Sequence, residues 1–269
     1  MEFRPCIDIH NGKVKQIVGS SLRDAGDQAS ENFVSGQDAA FYARMYQSRG
    51  IRGGHIILLN AKDSPYYEKT KNQALAALRA YPGGLQVGGG ITDANASEFL
   101  EAGASAVIVT SFVFRDGRID YDCLNRLEQA VGKEHLVLDL SCRYRADEPG
   151  YYIVTDRWQK FTTERVTNEL LEKLSSRCSE FLVHAVDVEG KSGGIEKPLA
   201  QFLGDWGKIP ITYAGGVHSF EDLEEISQLG RNRLNVTIGS ALDLFGGPMS
   251  YEQVLTYISK CNAEKEKSI

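Results

Sequence analysis

Residues 85–91 read LQVGGGI, a short apolar run that stops on three glycines. Residues 211–217 read ITYAGGV, the same run-then-glycine pattern more than a hundred residues on. Working outward from this pair, apolar runs recur at Phe3–Ile9, His55–Leu59, Leu85–Val87, Ala106–Thr110, Leu136–Leu140, Phe181–Val186, Ile211–Ala214 and Val236–Ile238. Each is short and apolar on both faces, as parallel strands covered by helices are. Helical patterns lie between them, at Asp38–Arg49, Lys71–Tyr81, Ala94–Ala102, Tyr121–Val131, Glu164–Leu174, Ser219–Leu229 and Ser250–Cys261, with a weaker one after Glu196. Ser219 followed by Asp222 reads as a helix N-cap with an acid in the first turn. Eight strand–helix units in about 250 residues predict an α/β fold, the (β/α)8 TIM barrel. A doubly wound open sheet is the competing fold. No linker-like stretch interrupts the pattern, so a single barrel domain over residues 1–269 is expected.

The runs also repeat by halves. Asp8 ends the first strand in CIDIH and Asp139 ends the fifth in VLDLS. Gly89 and Gly90 follow the third strand, and Gly215 and Gly216 the seventh. Thr110 and Ser111 end the fourth, and Gly239 and Ser240 the eighth. The chain therefore reads as two similar half-barrels, which puts the aspartates on opposite sides of one mouth. Two longer connections break the regularity at matching places. Asn11-Gly12 is a tight-turn signal before KVKQIV. After the fifth strand, Arg143–Gly150 is polar and YYIVTDRWQKF alternates like an exposed strand. Long loops at a catalytic face carry substrate contacts or a lid.

Composition narrows the function. Lys plus Arg number 30 and Asp plus Glu 36, a formal net charge of −6. That argues against a nonspecific nucleic-acid or membrane-surface binder, which needs excess cations. No apolar run approaches the roughly 20 residues of a membrane span, and no signal-peptide pattern precedes the first strand. The cysteines Cys6, Cys123, Cys142, Cys178 and Cys261 show no CxxC spacing, and the histidines show no HExxH. Free thiols in a reducing compartment and no metal site are expected.

Asp8 and Asp139 are the sharpest candidates. A carboxylate set in an apolar strand needs a partner or a job, and at the C-terminal end of a barrel strand the job is usually catalysis. A buried ion pair or a loop-capping role is the plain alternative. The glycine pairs Gly89–Gly90 and Gly215–Gly216 let backbone N–H groups approach an anion closely. With Thr110–Ser111 and Gly239–Ser240 beside them, each half would form one phosphate cradle. Such cradles bind without surplus Lys or Arg. In FLVHAVDVEGKSGG, alternation puts Asp187 and Glu189 on one face if the strand extends that far, with His184 facing the other way. His184 is a catalytic candidate or a core histidine. Trp158 is either a plug for its own loop or a stacking surface for a flat ligand.

CIDIHNGKVKQIV, LQVGGGI, VIVTS, VLDLS, FLVHAVDVEG, ITYAGGV and TIGSALDLFGG, in this order from about Phe3 to Gly247, resemble the ProFAR isomerases of histidine biosynthesis, most closely the eukaryotic branch. The resemblance implies a (β/α)8 barrel and an Amadori rearrangement of the aminoaldose ProFAR to the aminoketose PRFAR. It implies a substrate with a phosphate at each end and no metal or organic cofactor. The family's base maps onto Asp8, its second required aspartate onto Asp139, its sixth-strand acid onto Glu189 and its stacking tryptophan onto Trp158. Arg143 or Arg145 is expected to close over a phosphate. The chain departs from bacterial members in two places. They carry threonine on the sixth strand and Asp before the glycine. Here an ungapped match gives His184 and Glu189, whereas one gap puts Ala185 against the threonine. They also carry an arginine after the first glycine cluster, where this chain has Thr92. The first phosphate is therefore expected to rely on backbone groups or on a basic residue from elsewhere. The partner expected is a bis-phosphorylated small molecule, with no nucleic acid and no membrane, and the protein a monomer. The compartment expected is the cytoplasm, or the plastid stroma for a mature plant enzyme. The rival readings are the cyclase subunit of imidazole glycerol phosphate synthase, which typically has a lysine where this chain has His10-Asn11, and a noncatalytic phosphosugar-binding barrel.

Overall fold

The structure, a computed structural model, describes residues 1–17, 21–22, 28–156, 158, 160–189 and 193–266. Among them, eight parallel strands close into a barrel: β1 (Cys6–His10), β4 (Gly54–Leu58), β5 (Leu85–Gly88), β6 (Val107–Val109), β9 (Leu136–Asp139), β13 (Glu180–His184), β14 (Ile211–Ala214) and β15 (Leu234–Thr237). Neighbours in sequence are neighbours in the sheet. The ring closes where Phe3 pairs with Val236: Arg4 N–H donates to the Val236 carbonyl at 2.8 Å, and Val236 N–H to that of Glu2 at 2.9 Å. The helices are α1 (Ala39–Ser48), α2 (Tyr67–Ala80), α3 (Ala96–Glu101), α4 (Tyr121–Val131), α5 (Asn168–Ser175), α6 (Lys197–Trp206), α7 (Phe220–Leu229) and α8 (Tyr251–Glu266). The Ser219–Asp222 signal forms a full capping box on α7.

Period-2 alternation sorts each strand. Phe181 and Val183 pack outward into the large core between strands and helices, as do Ile211 and Tyr213. The intervening residues fill the barrel in layers. At the bottom, the Glu180 carboxylate accepts from Arg4 at 3.0 Å, Gln86 at 2.8 Å and the Thr212 hydroxyl. Above it, Ala106, Ile108, Val137, Leu182 and Ala214 make an apolar plug with Ile57. Two residues further along these strands come Asp139 and His184, so both surface at the C-terminal mouth. The sequence pattern thus delivers the candidate residues to one end of the barrel.

Both long connections are built as small sheets at the mouth. Asn11 and Gly12, at φ 52° and 73°, form the tight turn that joins β1 to β2 (Lys13–Ile17), which β3 (Glu31–Val34) extends. Positive φ at both central residues is what an Asn-Gly hairpin requires. β7 (Phe114–Arg115) and β8 (Arg118–Ile119) make a short hairpin after β6. After β9, β10 (Cys142–Arg145), β11 (Gly150–Thr155) and β12 (Lys160–Arg165) form an antiparallel sheet. One exposed strand was the expectation for this stretch. The chain instead pairs Thr155 with Lys160 in an antiparallel return, and the returning strand takes residues up to Arg165. That displaces the start of the expected Glu164–Leu174 helix to Asn168.

Candidate active site

Asp8 on β1 and Asp139 on β9 face each other across the mouth, and both line one cavity of ≈ 180 Å³ with His184, Glu189 and Trp158. Their environments differ. Burial pushes the Asp8 carboxyl up from 3.8 to about 7, with the Glu189 charge adding to it and His184 and the Cys6 thiol opposing it. Burial also acts on Asp139, but its partners outweigh it. The His184 ring lowers its pKa most, followed by Ser141, whose N–H at 2.9 Å and hydroxyl at 2.6 Å are accepted by Oδ1, while Oδ2 accepts the Thr110 hydroxyl at 3.0 Å. The Asp139 carboxyl is therefore held below the usual range and stays ionised. His184 Nδ1 lies 3.9 Å from Asp139 Oδ1, ion-pair distance rather than a hydrogen bond, and 3.3 Å from the Ser141 oxygen that bridges them. Burial depresses the His184 imidazolium, yet Asp139, Glu189 and Asp8 together raise its pKa. Burial raises Glu189 as well, against the pull of His184. His55, buried and next to a charged His184, falls to about 3 and is neutral. Two like groups at one mouth with pKa values pushed apart are what proton transfer in both directions needs.

Two further cavities adjoin the central one. On one side, Thr110, Ser111 and Asp139 are shared with a cleft of ≈ 690 Å³ lined by Gly89, Gly90, Asn60, Lys62 and Lys160. On the other, Asp8, His184 and Glu189 are shared with a smaller cavity lined by Gly215, Gly216, Gly239, Ser240 and Gln16. The three make one trough across the barrel mouth, acids and His184 in the middle and glycines at each end. The ends match by geometry as well as by sequence. Gly89 has φ +98° and Gly215 φ +112°, and a Cβ at either would strike a carbonyl at the end of the preceding barrel strand or just past it, that of Leu58 or Ala185, at 2.1 or 2.8 Å. Only glycine fits these positions.

The chain matches the family described as "Histidine biosynthesis protein" over residues 2–247. It belongs to the histidine biosynthesis protein family. Within it, the chain is 51% identical over 261 residues to a Medicago truncatula protein named 1-(5-phosphoribosyl)-5-((5-phosphoribosylamino)methylideneamino) imidazole-4-carboxamide isomerase, chloroplastic, covering 96% of this chain and 81% of that protein. It is 46% identical over 247 residues to the isomerase of the same name from Neurospora crassa, covering 91% of this chain and 93% of that one. The Saccharomyces cerevisiae isomerase is 40% identical over 253 residues, with the same two coverages, 91% and 93%.

For this histidine biosynthesis protein, the trough gathers Asp8, Asp139, Glu189, His184, Gly89, Gly90, Thr110, Ser111, Trp158, Gly215, Gly216, Gly239 and Ser240. Thr110 spends its hydroxyl on Asp139. The Trp158 ring sits 5.5 Å from that of His184, tilted by 42°. Its φ of 66° is an unfavourable backbone state for a bulky residue. Arg143 does not join them. Cys142 bridges to Ala185, and Arg143 turns away to pair with Asp187 at 2.8 Å. Arg145 pairs with Asp147 and Glu148. The alternation that set His184 opposite Glu189 does not hold, because β13 stops at His184 and the chain turns: Val188 N–H bonds the Ala185 carbonyl and Glu189 N–H that of Val186. Both side chains then reach the trough, while Asp187 leaves it. Gly190, which follows Glu189, lies outside the described residues.

Lys62, Lys160, Gln16, Asn60 and His55 were not singled out from sequence. Lys62 and Lys160 are basic residues from elsewhere at the Gly89–Gly90 end, one in the loop after β4 and one on the hairpin beside Trp158. Lys160 pairs with Asp156 at 2.7 Å. Gln16 is buried on β2, and its signal in the sequence is the period-2 spacing that puts it on the same face as Val14.

Proposed function

We propose that this chain is the aldose–ketose isomerase that converts ProFAR to PRFAR by an Amadori rearrangement in L-histidine biosynthesis. The reading rests on the names of its relatives and on one observation: a trough with a pair of aspartates at its centre and a glycine-walled pocket at each end. A substrate carrying a phosphate at either end matches that spacing of groups. Two end anchors hold a long molecule in one register, so that its reacting sugar lies over the carboxylates, which is catalysis by orientation. Backbone N–H groups and hydroxyls take the phosphate at Gly215–Gly216, and Lys62 and Lys160 supplement them at Gly89–Gly90.

The rearrangement needs a proton delivered to the ribose ring oxygen and another removed from C2. Asp8, poised near neutrality, is the base at C2. Trp158 stacks on the imidazole carboxamide and shields the trough from water. The partner is a small bis-phosphorylated sugar derivative, and the protein acts as a monomer. Of the compartments considered, the word chloroplastic in the name of the Medicago truncatula relative supports the plastid stroma. A noncatalytic phosphosugar binder has no use for a desolvated carboxyl at its centre. Incubation with ProFAR, with product identification, is the direct test.

A further inference from the structure

We propose that His184, oriented by Asp139 and Ser141, is the catalytic acid that opens the ribose ring, with Asp8 acting after it as the base at C2. This rests on the isomerase reading above and names the proton donor that reading leaves open. Asp139 is badly placed to be that donor. Three protein hydrogens already point at its oxygens, from Ser141 N–H, Ser141 O–H and Thr110 O–H. A carboxylate filled with donors holds no proton to give. Because the Ser141 hydroxyl spends its only hydrogen on Asp139 at 2.6 Å, its oxygen must accept from His184 Nδ1–H at 3.3 Å. The relay therefore runs from His184 through Ser141 to Asp139. It leaves Nε2 as the nitrogen free to serve a ligand.

Burial disfavours a protonated ring, but the carboxylates facing it among the described residues favour one. Asp139 faces it from β9, Asp8 from β1 and Glu189 from the turn after β13, while His55 on β4, edge-on at 6.2 Å, is neutral. Glu189 is the rival donor, but its Oε2 lies 3.2 Å from where a Cβ on Gly215 would sit. Glu189 lines the central cavity as His184 does, but this contact ties its carboxylate to the glycine wall, whereas the His184 ring packs 5.5 Å from that of Trp158.

The protons balance. His184 Nε2–H passes to the ring oxygen as the C1–O bond breaks, and the exocyclic nitrogen lone pair forms C=N. Asp8 takes the C2 proton, the C2–H pair becomes C=C, and the C=N electrons return to nitrogen. The enol O–H then gives its proton to neutral His184, C2 becomes a ketone, and Asp8 delivers its proton to C1. Both residues end as they began.

The parent is first assayed with ProFAR, so failure of the isomerase reading is seen on its own. His184 is then titrated by NMR without substrate, in the parent and in Asp139→Asn. We expect a pKa above the ordinary histidine range in the parent and a lower one in the variant. In His184→Gln, kcat falls by at least ~10²-fold, and the isotope effect of C2-deuterated ProFAR shrinks toward unity because ring opening becomes limiting. A merely structural role would leave that isotope effect unchanged. His184→Asn carries the same expectation should the glutamine variant not fold. A parent His184 that titrates below the ordinary range overturns the proposal. So does a folded variant within tenfold of the parent, or one whose isotope effect is unchanged or larger.

Discussion

Replacing Asp8 with Asn should make the protein more stable and nearly inactive. Below pH 3.8 the carboxyl is protonated in both folded and unfolded chains. Between 3.8 and about 7 the unfolded chain ionises while the folded one does not, so the parent loses stability as pH rises, and the loss is complete above pH 7. The shift of about three pH units corresponds to a ceiling of about 4 kcal/mol, and screening at a partly open mouth reduces it to about 2 kcal/mol. Asparagine keeps the shape and cannot ionise, so Asp8→Asn escapes this cost. Urea unfolding at pH 5 and pH 8, followed by tryptophan fluorescence, measures the difference. The variant's advantage should grow between the two pH values, while its turnover falls by at least ~10²-fold. Equal stabilities at both pH values would refute the desolvation of Asp8. Near-normal turnover by the folded variant would remove Asp8 from the chemistry.

Soaking crystals with sulfate or phosphate should place one anion at Gly89–Gly90 with Ser111 and another at Gly215–Gly216 with Gly239–Ser240; density at one end only would contradict a two-phosphate trough. Lys62→Met should raise KM by about tenfold with little change in kcat, since a surface-accessible charge contact of roughly 1.4 kcal/mol is lost; steady-state kinetics would show an unchanged KM if Lys62 does not meet the phosphate. Trp158→Ala should weaken substrate binding by about tenfold, as aromatic stacking is worth roughly 0.5–1.5 kcal/mol, and lower kcat because its shielding of the trough from water is lost. Fluorescence titration with substrate analogues reads this directly once the Trp206 background is subtracted with the variant, and a ligand-insensitive Trp158 signal argues for local packing instead.

The barrel was legible because its signal is local and repeated. Apolar runs bounded by glycine or polar residues recur eight times, and the strand positions agree within a few residues. Asp8 and Asp139 stood out because a carboxylate in an apolar strand is costly, and the glycine pairs because they recur by halves. The missed features are those that depend on distance in space. Lys62 and Lys160 come from two loops that only the folded mouth brings together. Nothing local says that the Thr110 hydroxyl turns to Asp139 rather than toward a ligand, or that Arg143 finds Asp187. The placement of His184 and Glu189 failed for a definite reason: alternation assumed that β13 ran on, and a hydrogen-bonded turn after Ala185 ends it. The late start of α5 has a similar origin, since residues 160–165 have both helix-forming and strand-forming members and pairing with β11 decides between them.

The central claim is the reaction itself. Purified protein should be incubated with ProFAR, with and without ammonia, and the product identified by chromatography and mass spectrometry combined with NMR of the sugar carbons, because ProFAR and PRFAR have the same mass. The account predicts PRFAR, with a ketone at C2, formed equally in both conditions and without added metal. ProFAR left unchanged by folded protein, or turnover seen only when PRFAR and ammonia are supplied together, would contradict it.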